Sequence, residues 1–169
     1  MKKFFVLAIS VLSFVSCRYT SGSGNIITEN RSVGDFTGIS VSGDFEVEVQ
    51  IGAVSEVRVE ADDNIMKYIE TRVSGNTLKI RTEDLHNYND VHMKVYITTP
   101  SLTRISASAS ARVEVKELLK SRDRLSFKSS SSGSVIAEVE APEVEAEASS
   151  GATLNLSGKT QNYNLQASS

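Results

Sequence analysis

Residues 131–151, SSGSVIAEVEAPEVEAEASSG, decide the fold of this chain, and the stretch begins and ends with the same Ser-Ser-Gly triplet. Between the triplets, small apolar residues alternate with glutamates. Val139, Ala141, Val144, Ala146 and Ala148 fall on one side of the alternation. A period of two is typical of β-strands with one buried face. The stretch therefore predicts short strands that run between corners made of small residues.

The same arrangement occurs three times along the chain. Ser110–Val115 aligns with Gly133–Glu138 and with Gly151–Leu156, and the starting positions are 23 and 18 residues apart. Two small residues precede each start. A period near 20 with small corner residues is typical of a β-solenoid, in which each coil buries its inward side chains only by stacking on its neighbours. The chain ends at Ser168-Ser169, in the middle of a repeat and without a visible cap. We therefore expect a truncated chain, or a last coil that pairs with another molecule and supports oligomers.

The part before the repeats also alternates. Residues 45–51 and 57–61 each follow a period of two, and Gly75-Asn76 is typical of a hairpin turn. Asp62 and Asp63, close to Glu60, are placed to cap a short helical turn. These patterns predict a single all-β domain over residues 26–169. In this domain, a β layer over residues 26–100 continues into solenoid repeats over residues 102–169.

The N-terminus has the pattern of an export signal with a lipid anchor. Lys2 and Lys3 precede an apolar run over residues 4–15, which is too short to span a bilayer comfortably. Small Ser16 precedes Cys17, the only cysteine, as in a lipoprotein cleavage site. We predict a signal peptide over residues 1–16, an acylated Cys17 that anchors the protein in the cell envelope, most simply at the outer membrane, and a flexible Ser/Gly-rich tether over residues 17–25.

Several motifs in order resemble a known family. They are Gly24–Ile27, Val33–Ile39, Val41–Val47, Val59–Ile65, Tyr68–Thr71, Gly75–Ile80, Val95–Pro100 and the later Ser-Ser-Gly repeats. Together they are similar to the auto-transporter adhesin head GIN domain family. The resemblance implies a Bacteroidota-type envelope lipoprotein with a right-handed parallel β-helix. It supplies an adhesin label but no catalytic motif, and members are usually longer by one or more coils.

Composition and motifs exclude several other classes. The formal net charge of −3 and the lack of a basic patch with aromatic residues do not suit nucleic acid. No Gly-x-Ser-x-Gly motif is present, and the only histidines, His86 and His92, lack the partners of a metal site. We expect no catalytic residue, cofactor or metal, and we interpret both histidines as surface residues.

Two sets of charged residues allow alternatives. Stacked glutamates could gather Ca²⁺, although a solvated face that discourages aggregation is the simpler interpretation. The glutamates are Glu138, Glu140, Glu143, Glu145 and Glu147. A sugar-cleaving enzyme needs a groove of acids with Arg or Lys, and the basic residues of the repeats look dispersed, several of them in a solvated insertion over residues 116–124. These residues are Arg104, Arg112, Lys116, Lys120, Arg122, Arg124 and Lys128.

The function that we expect from the sequence is that of a non-catalytic, lipid-anchored envelope module. It would bind a glycan or a protein along the face of its solenoid. The alternatives are a structural or assembly lipoprotein that faces the periplasm and, less favoured, a sugar-active β-helix enzyme. Because the first acid after Cys17 is Glu29, the membrane face stays open.

Overall fold

A computed structural model describes residues 19–83 and 87–169, so Cys17, His86 and the expected signal peptide lie outside the described residues. The described part is all-β apart from one short helix. No helix in it is long and apolar enough to cross a membrane. The elements in chain order are β1 (Tyr19–Ser21), β2 (Ile26–Arg31), β3 (Gly38–Ser42), β4 (Glu46–Ile51), β5 (Glu56–Asp62), α1 (Asp63–Met66), β6 (Ile69–Ser74), β7 (Thr77–Thr82), β8 (Asn87–Asn89), β9 (Met93–Thr99), β10 (Arg104–Ser108), β11 (Arg112–Val115), β12 (Leu119–Lys120), β13 (Leu125–Ser129), β14 (Ser134–Ser149) and β15 (Thr153–Ser168).

The strands stack in parallel on two faces of a solenoid-like coil. One face runs β7, β3, β10, β13 and then the C-terminal parts of β14 and β15. The other face runs β9, β4, β11 and then the N-terminal parts of β14 and β15. Because β14 crosses from one face to the other, the mostly parallel sheet curls into a nearly closed shape around one core. This confirms the all-β solenoid expectation, whereas the right-handed sense of the coils stays a prediction.

Inward side chains form continuous apolar rows through the stack. Leu78, Ile39, Ile105 and Phe127 are successive cross-strand partners, and each has at most 1% of its surface exposed. A second row on the other face consists of valines at positions 95, 47, 113 and 135. Parallel strands buried in this way are rich in β-branched and aliphatic residues. The alternation over residues 45–51 correctly predicted the inward position of Val47 in the second row.

The division into a β layer and a separate solenoid does not match the strand pairing. β3 pairs in parallel with β10, and β4 pairs in parallel with β11, so residues 38–51 already form a coil of the stack. Among the described residues, β2, β5 and β6 form antiparallel pairs only, with β5 between β2 and β9 and with β6 beside β7. A search for a period near 20 residues misses this coil because β5 to β9 are inserted between Ile51 and Arg104.

Three successive coils turn a corner with two consecutive left-handed residues. They are Ala109 and Ser110 (φ 52° and 71°), Ser131 and Ser132 (49° and 64°), and Ser150 and Gly151 (52° and 73°). The turns close with bonds from the Ala111, Gly133 and Ala152 amides to the carbonyls of Ser108, Ser130 and Ser149. The prediction of small corner residues is confirmed.

The repeat alignment made from the sequence was wrong by one residue. Arg112 pairs with Ser134, and Ser134 pairs with Thr153, so equivalent positions are 22 and 19 residues apart. The alignment matched glycines to each other, but serine occupies the second left-handed position at two of the three corners. Gly133 lies one residue beyond its corner and meets a different constraint, namely close backbone contact with Ala107.

Residues 116–124 are not a solvated insertion. They include β12, which pairs with β14 on a third side of the coil, and Leu119 is 2% exposed in the core. A strand of two residues is too short to show a period, which is why the charged composition around it suggested a loop.

The segment predicted as a flexible tether is fixed over its described part. β1 pairs in parallel with β8, and the Gly24 amide donates to the Asp62 carboxylate over 2.7 Å. Asp62 is 2% exposed and also accepts from the His92 amide over 2.7 Å.

Asp62 precedes α1 but makes no side-chain bond to that helix, so its expected capping role is wrong.

β15 has a neighbour on one side only within the described residues. It pairs with β14 along its length, while Tyr163 and Leu165 in its inward rows are each 54% exposed. An open edge of this kind presents unpaired backbone groups. Pairing of this edge with a second molecule stays a prediction.

Gly133→Ala tests the close approach of coils at the corner. A Cβ at Gly133 would lie 2.6 Å from the Ala107 carbonyl oxygen, so the backbone of one coil must shift. We expect the free energy of unfolding to fall by about 1–3 kcal/mol, measured by urea denaturation. Gly34→Ala is the control, because a Cβ there meets nothing within 4 Å. Equal effects of the two substitutions would contradict the proposed packing.

A candidate binding groove

The outer face of β2, β5, β9 and β4 carries an open groove of about 720 Å³. We call it the Tyr96 groove. A row of cross-strand partners, Asn30, Arg58, Tyr96 and Glu48, crosses its floor. These residues share one face because outward positions on paired strands lie side by side. The groove therefore lies on the N-terminal coils and the strands inserted between them, not along the later repeats as we had expected.

The centre of the groove is an aromatic ring beside two cations. The Arg58 guanidinium carbon lies 4.0 Å from the centroid of the Tyr96 ring, and the Lys94 ammonium lies 5.1 Å from it. Stacking of this kind holds the planar guanidinium in place. Among the described residues, exposed Arg58 forms no ion pair, so its donors are available to a ligand. Gln50 and Thr98 add neutral polar groups to the lining.

Glu48 lies at the edge of the groove and is held as a carboxylate. Its carboxylate is 2.9 Å from the Lys94 ammonium and 3.6 Å from that of Lys116, which also contacts Glu114 over 3.0 Å. The hydrogen bond from Lys94, reinforced by both positive charges, lowers the pKa of Glu48 below 4.5. Hydrogen bonds to Glu48 and Glu114 respectively raise the pKa of Lys94 and Lys116. Glu48 is therefore ionised at neutral pH and is a poor general acid.

His92 occupies the outward position that we predicted for it. Its Nε2 atom is 2.8 Å from the Glu60 carboxylate, and 41% of the side chain is exposed. Within residues 19–83 and 87–169, no group of three or more His, Cys, Asp or Glu residues is arranged to hold a metal ion. His86 lies outside those residues.

The glutamates of β14 point outward, and four of the five, all except Glu138, are paired with cations of the preceding coil. Lys120 lies 3.2 Å from Glu140 and Arg124 lies 3.0 Å from Glu143, while Lys128 contacts Glu147. Basic residues that look dispersed in sequence are therefore brought into register with acids. Such pairing leaves fewer free carboxylates for Ca²⁺, and it favours the interpretation of a solvated face.

A second open groove, of about 610 Å³, lies at another corner of the last coils. Lys120, Arg122, Glu140 and Lys159 line it. Glu140 is engaged with Lys120. It lacks an aromatic residue, so we regard the Tyr96 groove as the stronger candidate for a binding site.

Glu48→Gln tests the electrostatics of the Tyr96 groove. Because folding lowers the pKa of Glu48, its contribution to stability is present above pH 4.5 and is lost as the pH falls through the folded-state pKa. We expect the variant to be less stable than the wild type by up to about 1 kcal/mol at pH 7, and the difference to shrink toward pH 3. Urea denaturation across this range measures it.

Glu138→Gln is the control for this substitution, because Glu138 is exposed and forms no ion pair among the described residues. We expect its stability at pH 7 to lie closer to that of the wild type than the stability of Glu48→Gln does. A wild-type advantage over Glu48→Gln that grows on acidification would contradict the sign of the argument.

Comparison with solved structures shows the same fold in several proteins. A "putative lipid binding protein" from Parabacteroides distasonis ATCC 8503 superposes with a TM-score of 0.67 at 20% identity, over 85% of this chain and 70% of that one. A "putative adhesin" from the same organism gives 0.64 at 16% identity, over 89% and 73%. A "putative adhesin" from Bacteroides fragilis NCTC 9343 gives 0.61 at 17% identity, over 88% and 95%. These identities support likeness of fold alone.

The family model provides the assignment. No curated protein matches the chain. The model described as "Putative auto-transporter adhesin, head GIN domain" matches residues 35–169, which include every coil of the stack and nine of the thirteen residues that line the Tyr96 groove, whereas Asn30 precedes the match. The resemblance seen in the sequence motifs is thereby confirmed. The chain belongs to the auto-transporter adhesin head GIN domain family.

Proposed function

We propose that this protein is a non-catalytic, lipid-anchored module of the cell envelope that binds a glycan or protein segment in the Tyr96 groove. The observation that carries the proposal is the row of Asn30, Arg58 and Tyr96 across the floor of an open polar groove. The family name supports an adhesin-like role in general terms. The ligand and the anchoring are our proposal.

The chemistry of the groove suits a hydroxylated or anionic ligand. An aromatic ring offers a rigid amphipathic surface, and a guanidinium offers a planar set of donors that matches carboxylates and neighbouring hydroxyls. Few convergent polar groups in a concave surface are typical of ligand sites. One structurally similar protein is described as lipid binding. In this chain, the polar and charged lining of the groove is a poor match for an acyl chain.

A sugar-cleaving role has less support than binding. The groove does contain acids together with arginines, namely Glu48 and Glu56 with Arg31 and Arg58. Glycoside hydrolysis needs one carboxylic acid with a raised pKa beside one carboxylate. Glu48 has a lowered pKa and is engaged by two lysines, so it does not suit the proton-donating role.

A periplasmic structural role is the alternative, in which the edge of β15 that has no neighbour among the described residues would pair with another chain. A strand that pairs on one side only is able to add a strand from another chain by backbone hydrogen bonds. Such a lipoprotein would use its solenoid for assembly and would not need a ligand in the Tyr96 groove.

Cys17→Ala tests the anchor. We expect the wild-type protein to sediment with membranes and the variant to appear in the soluble fraction, because the acyl chains attached to Cys17 supply the membrane affinity. Immunoblotting of fractionated cells measures it, with Ser16 unchanged in both proteins. A variant that still sediments with membranes would contradict the lipid anchor. Protease treatment of intact and lysed cells then distinguishes surface from periplasm.

Tyr96→Ala and Arg58→Ala test the groove. The labelled protein is applied to an array of bacterial and host glycans and to immobilised matrix proteins. We expect at least one ligand whose binding weakens by about tenfold or more in each variant, in line with the loss of a central aromatic or arginine anchor. Lys128→Ala, on the other face of the coil, should bind like the wild type. Binding that survives both groove substitutions would place the site elsewhere, and no binding at all would favour the structural role.

A further inference from the structure

The residues that follow the proposed anchor are bonded to the body of the domain at two places. The first is the parallel pairing of β1 with β8, in which Tyr19, Thr20 and Ser21 are the partners of residues 87–89. The Gly22 amide extends this pairing by donating to the Asp90 carbonyl over 3.3 Å. The segment is thus a strand on the surface of the domain rather than a free linker.

The second place is a cluster of polar residues at the end of β5 and the start of α1. Asp63 accepts from the Ser23 hydroxyl over 2.6 Å and from the Asn25 side-chain amide over 2.8 Å. The hydrogen bond from Ser23, followed by that from Asn25, lowers the pKa of Asp63. Asn64 accepts from the Ser23 amide over 3.1 Å and donates to the Ser21 carbonyl over 2.8 Å.

Buried Asp62 completes this attachment. Its carboxylate bridges the Gly24 amide and the His92 amide, and the space around it excludes even a Cβ on Gly22. Removing a partner of a buried carboxylate is costly, so this end of the segment is held firmly. We call the contacts of Asp62, Asp63 and Asn64 with residues 21–25 the N-terminal latch.

Chain length then limits how far the domain stands from its anchor. Only Arg18 separates Cys17 from Tyr19. Two residues of extended chain span at most about 7 Å. An acylated Cys17 has its acyl chains in the bilayer, so the start of β1 must lie close to the lipid headgroups.

We propose that the corner formed by β1, β8 and Asp90 is a membrane-facing surface, which the N-terminal latch holds against the lipid headgroups in a fixed orientation. This inference rests on the proposed lipid anchor. A fixed orientation of the domain thus replaces the flexible tether that the Ser/Gly composition predicted. The partner of this membrane-facing surface is the lipid surface itself.

The side chains of this corner suit a surface that is held against lipid by an anchor. Tyr19 is 67% exposed, and tyrosine is enriched at membrane–water interfaces. A neighbouring cavity of about 370 Å³ is lined by Tyr19, Asp44, Tyr88 and Asp90 among others, and none of the described residues that line it is a Lys or Arg. Because its charged described residues are the acids Asp44 and Asp90, this lining does not itself attract anionic lipids, so the acyl chains must supply the affinity.

The proposal is tested with the full acylated protein in vesicles of phosphatidylethanolamine and phosphatidylglycerol that contain a headgroup-attached spin label. Cys17 is blocked by acylation, so Asn89→Cys and Gln161→Cys each introduce one site for a fluorescent label. Both positions are exposed. Gln161 lies on β15, which is separated from β9 by β4, β11 and β14, about 19 Å at the usual strand spacing.

We expect the label at position 89 to be quenched at least threefold more strongly than the label at position 161. Two variants should reduce this difference by half or more. One is Asp63→Ala with Asn64→Ala, which removes exposed parts of the latch, and the other is a ten-residue Gly/Ser insertion between Arg18 and Tyr19. The insertion leaves every folded contact in place, so it reports on tether length alone.

Each failure has a separate meaning. If the wild-type protein does not stay with the vesicles, the lipid anchor itself is wrong, and the proposed function fails with it. If the protein stays bound but the two labels are quenched equally, the membrane-facing corner is wrong and the anchor stands. If the insertion leaves the difference unchanged, the short connection to Cys17 does not set the orientation, which also overturns the proposal.

Discussion

The structure depends on a turn of two left-handed residues that returns at the same place in successive coils. Each turn closes its own hydrogen bond, and each bonds to the next, since the Ser110 amide donates to the Ser131 carbonyl and the Ser132 amide donates to the Ser150 carbonyl. Side chains in this conformation must be small because another corner lies directly above or below. Once the corners are stacked, the register of the strands on both sides is fixed. A slip of one residue would send every inward side chain to the solvent.

The same register organises the charged surface. Lys120, Arg124 and Lys128 belong to one coil, and the glutamates that they contact belong to the next. Each of these exposed pairs contributes little to stability alone. Together they favour the native register over shifted ones, because a shifted register would place the glutamates of β14 beside other partners. The coil that carries Lys120, Arg124 and Lys128 and the coil that carries the glutamates of β14 therefore favour being neighbours in the stack. On the N-terminal coils, the outward row instead has Arg58 and Tyr96, which leaves a guanidinium available to a ligand.

Much of the fold could be predicted from the sequence because alternation and repetition are local signals. The inward positions of β4, β5 and β14 follow directly from a period of two. The alignment of the repeats failed by one residue because glycine was taken to mark the corner. In the structure, Ser132 has the left-handed conformation. Gly133 is required for a different reason, because its backbone lies too close to Ala107 of another coil to leave room for a side chain. The coil made by β3 and β4 was missed because a long insertion interrupts the repeat.

The candidate site was harder to predict than the fold. Arg58, Tyr96 and Asn30 are far apart in sequence and become neighbours only through the pairing of β2, β5 and β9. No motif marks them, although their outward positions were visible in the alternation. The N-terminal latch was missed for a related reason. Serine, glycine and asparagine are common in flexible linkers, and only the burial of Asp62 shows that here the same residues satisfy a carboxylate.

The 19-residue spacing of the last coils has a consequence for how such proteins can vary over evolutionary time. Duplication of one such unit would lengthen the stack by one strand spacing, about 4.8 Å, while each new corner repeats a turn that already exists. The groove and the N-terminal latch are both built from residues before Pro100. Gain or loss of a coil therefore changes the size of the molecule in small, equal steps and leaves these two surfaces intact. The length of the stack and the residues of the Tyr96 groove are then free to evolve separately.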